Sequence, residues 1–390
     1  MNNKITLLLL LLIPVCLWNC SRETVPEEYY TVEVIEGVRH IHNYKPQWGD
    51  EPKVALEFVQ QIGEFEATDD NYLFFQPRDI ALDGEGNLYV LDAGNYRIQK
   101  FNTQGKFLAS FGRKGEGPSE FDMPFAIDID SKGNIYVYDV MMSTRYSPSR
   151  IIVLDAQGKE IKRFSYEDEN GISFLRILNS KEMVRRLLPE SEASDLIGIY
   201  NTNGKKLREF VEPKIYEDEA FNTIGNSFDY SVDKNTNIYV CFEHQNRIEK
   251  YSAEGELLMN TDRPLDFEIT HKKEKQVMDV YNNKGGLTPR EIERGRISYV
   301  SEGLGVDHKG RIWTITWRRQ GEEDDREKYP DPYVLAAELF RFDIFDPEGI
   351  FLGSLPVEKY FGSMHIYDDR LFLVDAYNEM CVYEYKIVEK

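Results

Sequence analysis

The chain has 390 residues, 13% of them aromatic, and a formal net charge of −21 at neutral pH. That charge argues against nucleic acid or an anionic membrane surface as the main partner, because both would repel it. The length allows two average domains or one large all-β unit, and the aromatic content supports an ordered core.

Residues 1–19 read as a signal peptide of the lipoprotein type: Lys4 precedes an apolar run from Ile5 to Trp18, too short to span a membrane comfortably. "LWNC" resembles a lipobox and makes Cys20 the expected lipidation site, although Trp18 and Asn19 depart from the usual small residues. Residues 20–53 form a tether and edge segment, in which "YYTVEVIE" (29–36) has the composition of an edge strand.

From residue 54 the text repeats itself. "DGEGNLYVLD" returns as "DSKGNIYVYD", "DKNTNIYVCF" and "DHKGRIWTIT". A second turn, centred on Gly105, recurs at Gly158, Gly204, Gly255 and Gly349, with Arg97, Arg150, Arg247 and Arg341 eight residues upstream in four of the copies. Each copy reads as four short antiparallel strands joined by tight turns, in a unit of roughly 40 to 50 residues, the signature of a propeller blade. The copies fall at about 75–112, 123–164, 172–210, 226–261, 301–355 and 361–388. The last has only three strands, and "VALEFVQQIG" at Val54 supplies the fourth. The expected fold is therefore all-β, a six-bladed β-propeller over 54–388 with its last blade closed by an N-terminal strand. The long connection between the fourth and fifth copies, about 262–300, is expected to be a helical insertion, because "THKKEKQVMDVYNN" is amphipathic and "TPRE" makes a capping box.

The stretch "NLYVLDAGNYRIQKFNTQGKFLASFGRKGEGP" resembles the NHL-type repeat, and with the Cys20 leader the chain looks like a six-bladed propeller lipoprotein of bacteria. The resemblance implies a binding platform more often than an enzyme, in the cell envelope and anchored in the outer membrane of a Gram-negative bacterium. In its enzymatic members it implies a metal held by His or carboxylates on innermost strands.

Loops on a rigid scaffold are where binding concentrates. The long second-to-third-strand loops (141–149, 189–195, 318–332) and the 261–300 connection all leave on one face. That face carries the expected ligand-binding residues Arg78, Arg113, Arg145, Tyr146, Trp317 and Arg319, which suit an acidic or carbohydrate-like ligand. The partner expected there is a glycan, a peptide or an envelope protein. Asp92 and Asp139 close equivalent second strands and could contribute to a Ca²⁺ site, with His365 on an innermost strand a further weak metal candidate; their recurrence favours a structural task instead. No cofactor is expected. The alternative function is a divalent-cation-dependent lyase or hydrolase working in the central channel. Cys241 and Cys381 lie in apolar strand-like runs and are expected to be buried free thiols.

Overall fold

A computed structural model describes residues 29–141, 149–166, 174–187, 194–281, 287–359 and 361–390. Six four-stranded antiparallel blades form a ring, at 77–111, 124–164, 175–210, 228–261, 301–356 and, for the sixth, 363–389 with Val54–Ile62. Val54–Ile62 pairs antiparallel with Cys381–Glu389, so the expected N-terminal strand closes the ring. Cys20 lies outside the described residues, as do Arg145 and Tyr146.

The repeated residues do repeated work. Asp83, Asp130, Asp233 and Asp307 each accept backbone N–H groups two and four residues ahead, which fixes the first turn. Their other oxygens take the Tyr89, Tyr136 and Tyr239 hydroxyls and the Trp313 indole N–H, tying turn to core. The second-turn glycines have positive φ, +79° at Gly158 for example, a conformation that suits residues without a Cβ. They also abut the outer strand of the preceding blade: a Cβ on Gly158 would come within 2.1 Å of the Phe111 ring, and one on Gly255 within 2.7 Å of Phe210.

The core is divided among the joints. Six clusters of buried apolar side chains lie one between each pair of neighbouring blades, such as Tyr89, Leu91, Ile98 and Phe111 of blade 1 against Ile127, Ile135 and Val137 of blade 2. Cys241 and Cys381 are buried free thiols in the joints between blades 4 and 5 and between blades 5 and 6.

The edge strand expected at 29–36 is present as Tyr30–Ile35, and two features were not expected. The 29–36 segment pairs with a second strand, Val38–Asn43, which runs parallel to the outer strand of blade 4 and makes that sheet six-stranded. Asn43 fastens this addition: its amide donates to Thr261 Oγ1, Asp262 O and Gly349 O and accepts from the Phe351 N–H.

The 262–300 insertion is not helical but a long antiparallel hairpin, His271–Tyr281 against Leu287–Ile297. "NNKGG" between the two segments is a hairpin signal and would interrupt any helix. Pro289, placed at a helix start from its capping box, pairs opposite Asp279 in the ribbon. The helical insertion is in blade 5 instead, where Asp325–Lys328 and Pro332–Leu339 fill the second-to-third-strand loop.

Candidate functional site

The channel is lined by the six innermost strands, and its chemistry lies where they differ. Three aspartates join neighbouring inner strands: Asp79 accepts the Ile127 N–H at 2.9 Å, Asp128 the Ile177 N–H at 2.6 Å, and Asp229 the Gly303 N–H at 2.7 Å. Tyr230 and Tyr367 do similar work at other joints through hydrogen bonds to Phe174 O and Ile80 O.

Midway down the channel Arg176 makes a bidentate pair with Asp79, at 3.1 and 3.2 Å. Its Nη2 also faces His365 Nδ1 at 3.3 Å, while His365 Nε2 lies 3.2 Å from Ser363 Oγ and 3.3 Å from Asp79 Oδ1. Burial, helped by the Arg176 charge, lowers the His365 pKa to about 4 against the pull of Asp79. The imidazole is therefore neutral at pH 7, accepting from Arg176 and donating through Nε2. Burial raises Asp128 to about 6, although Arg176 opposes the shift. This layer divides the channel into an upper cavity of about 270 Å³ and a lower one of about 300 Å³, which share Arg176, Tyr230, Leu304, Met364 and His365.

The upper cavity opens on the loop-rich face. Asp229, Glu243 and Glu302 stand in its wall. Burial, then the Asp229 and Glu243 charges, push the Glu302 carboxyl up to about 7. Burial and Asp229 do the same to Glu243, with Arg186 Nη1, 3.8 Å away, pulling the other way. Glu302 accepts the Trp317 indole N–H at 3.2 Å, and Trp317 stacks on Tyr299 with centroids 5.3 Å apart.

Two neighbouring hollows share walls with this mouth. Glu302 also lines a pocket of about 750 Å³ between Trp317, Tyr329, Leu335 and Phe340, which the blade 5 helices enclose. Phe174, Gly362 and Ser363 also line a groove of about 260 Å³ that contains Arg78 and Tyr377. Tyr377 reaches both hollows, so the three form one continuous surface.

The expected site residues distribute unevenly over it. Trp317 and Arg78 are at the mouth, and Arg78 lies over the Phe125 ring at 3.9 Å, its pKa lowered by burial. Arg113 is ion-paired with Glu120 at 2.7 Å and Arg319 makes a bidentate pair with Asp325, so both serve their own loops. Asp92 accepts from Phe75 N–H, Asn95 and Arg97, and Asp139 from Asp122 N–H, Met123 N–H and Arg150, which is the structural task their recurrence favoured. Asp92, Asp139 and His365 lie on strands of three different blades, the first two on second strands, and do not form a joint site.

Sequence reasoning missed Asp229, Glu243, Glu302 and Arg176. For Arg176, Asp229 and Glu302 the available signal was a charged residue within a first strand, as in "FLRILN" and "FDYSV"; Glu243 directly follows the second strand of blade 4 and carries no such sign. Bulges shape the same edge: strand register shifts around Arg78, Phe125 and Gly303 at the loop-face ends of the inner strands of blades 1, 2 and 5.

Residues 65–147 match the family DUF5128, described as a 6-bladed beta-propeller. The chain is similar to the probable peptidyl-alpha-hydroxyglycine alpha-amidating lyase pgal-1 of Caenorhabditis elegans, 31% identical over 103 residues, which cover 25% of this chain and 28% of that protein. It is also similar to NHL repeat-containing protein 3 of Homo sapiens, 29% identical over 69 residues, 17% of this chain and 20% of that one. The match thus spans less than a third of either relative. Among solved structures, a member of the duf4221 family from Bacteroides vulgatus superposes with a TM-score of 0.57 at 10% identity, covering 87% of this chain and 99% of that one. A putative exported protein from Bacteroides fragilis gives 0.54 at 11% identity, covering 87% and 96%. At such identities these two structures share the fold.

Proposed function

We propose that this six-bladed propeller is a binding platform, holding a glycan, a peptide or a protein partner at the channel mouth on its loop-rich face. The observation that carries this reading is the continuity of three hollows there, with aromatic walls on one side and carboxylates at the centre. Convergent polar groups in a mostly preformed concavity are what ligand sites share. An envelope location with a lipid anchor on Cys20 belongs to the same proposal.

The test is a thermal-shift and calorimetric screen of oligosaccharides and peptides against the protein and its Trp317→Ala and Tyr377→Ala variants. A ligand whose affinity falls about tenfold or more in either variant supports the reading, a loss typical of an aromatic anchor. Binding unchanged by both removes the mouth from consideration.

A second reading, a divalent-cation-dependent lyase or hydrolase, draws on the Glu243 and Glu302 carboxyls near 7 beside Asp229, since carboxyls that titrate near neutrality suit acid–base work. It is also in keeping with the name of the lyase relative. Turnover of a captured ligand that stops with chelator would replace binding by catalysis.

A further inference from the structure

The wall chemistry of the mouth narrows the ligand, and this step rests on the platform reading above. Asp229, Glu243 and Glu302 face one cavity. Their near neighbours offer little positive charge: Asp229 takes a backbone N–H, Glu302 a neutral indole N–H, and Glu243 a guanidinium at 3.8 Å. Beneath them, Arg176 is held by Asp79 and His365 is neutral. Arg78 lies in the adjoining groove against Phe125, and Arg326 is exposed on the blade 5 insertion. The centre of the mouth is therefore acidic, while Arg113 and Arg319, counted on for an anionic ligand, are occupied elsewhere.

The second observation is the shape beside it. The pocket of about 750 Å³ is walled by Trp317, Tyr329, Pro332, Leu335 and Phe340; its polar lining is Glu302 on the channel side, with Asn378 and the exposed Arg326. Aromatic faces next to a carboxylate attract an organic cation twice, through the ring quadrupoles and through the charge. An anion would meet the carboxylates directly, and a neutral sugar would leave their charge unanswered.

We infer that the platform takes a basic peptide segment, with a lysine or arginine side chain entering the Asp229–Glu243–Glu302 cavity and a flanking apolar side chain filling the pocket between Trp317 and the blade 5 helices.

Calorimetry with acetyl-Leu-Lys-Phe-amide and its norleucine and glutamate counterparts tests this, with maltotetraose as the neutral glycan arm. The lysine peptide should bind about tenfold tighter than the norleucine one, and Glu302→Gln should erase most of that preference. Glu243→Gln is the second variant, and both replacements keep side-chain size. Lysine binding should also tighten from pH 6 to pH 8, as Glu243 and Glu302 ionise beside Asp229, with Arg186 3.8 Å from Glu243 and Arg176, paired with Asp79, in the same cavity wall. Norleucine binding as well as lysine, or a preference that survives both variants, overturns the inference. Maltotetraose binding that depends on Trp317, without peptide binding, overturns it while leaving the platform standing. Binding of no probe at a Trp317-sensitive site counts against both.

Discussion

Replacing Glu302 by Gln should stabilise the protein in alkaline solution and leave it unchanged in acid. The carboxyl titrates near 7 in the folded chain, raised from 4.5 by burial and then by Asp229 and Glu243. Between those two values the folded state keeps a proton that the unfolded chain has already released. Stability must therefore fall as pH rises through that window, and level off above it. At ~1.4 kcal/mol for each pH unit the window spans, the ceiling is ~3.5 kcal/mol, and water in the mouth reduces it to about 1–2 kcal/mol. Gln resembles the protonated acid and can still accept the Trp317 indole N–H. Urea midpoints of both proteins at pH 4, 5, 6, 7 and 8 should nearly coincide at pH 4 and separate progressively, with the variant higher. Because Glu243 is relieved at the same time, its own titration should move down. An equal gain at pH 5 and pH 8, or a variant less stable at pH 8, would refute the claim that desolvation and like charge dominate this carboxyl.

Two other outcomes are expected from the fold and the leader. Gly158→Ala should cost about 3 kcal/mol or more, because it combines a positive φ with a Cβ placed 2.1 Å from the Phe111 ring; Gly84→Ala, with open space around it, should stay within about 0.5 kcal/mol in the same denaturation assay. If Cys20 carries the lipid, Cys20→Ala should abolish palmitate labelling and release the protein from the membrane fraction; a labelled or membrane-bound variant would end the anchor proposal.

The ring was readable because its restraints are local. Asp83 and Asn87 fix one turn within five residues, and Gly105 and Asn102 fix another, so short spacings recur in the text wherever the geometry recurs. The site was not readable in that way. Arg176 and Asp79 meet across 97 positions, and Asp229 reaches Gly303 across 74. Packing of one blade on the next brings Asp229 to Gly303, and the curvature of the ring brings Arg176 of blade 3 to Asp79 of blade 1. The loop cations carry a simpler sign: Glu120 stands seven residues after Arg113, and Asp325 six after Arg319. Local carboxylates at that distance in a loop compete with any ligand. The hairpin at 271–297 shows a related limit, because alternating charges fit an exposed ribbon as well as a helix, and the Asn/Gly cluster had to arbitrate.

A ring of near-identical blades must also break its own symmetry to recognise anything, and the inner strands show how. Regular pairing would give each blade the same side-chain direction at the rim. The bulges in blades 1, 2 and 5 insert one residue each and so re-aim the side chains beside them. In blades 1 and 2 the residues there are Arg78 and Phe125, which face each other over the groove. In blade 5 it is Gly303, whose φ of +82° suits a residue without a Cβ and whose N–H meets Asp229. A side chain at Gly303 would narrow the mouth cavity that this glycine lines and press toward Ile315 and Met364, at 3.3 and 3.4 Å from its Cβ. The bulge therefore does two things at once: it supplies the donor that holds Asp229 at the rim, and it leaves room beside Glu302. The turns that every copy repeats make the ring rigid, and these unrepeated residues at the start of the inner strands give one face of it a chemistry of its own.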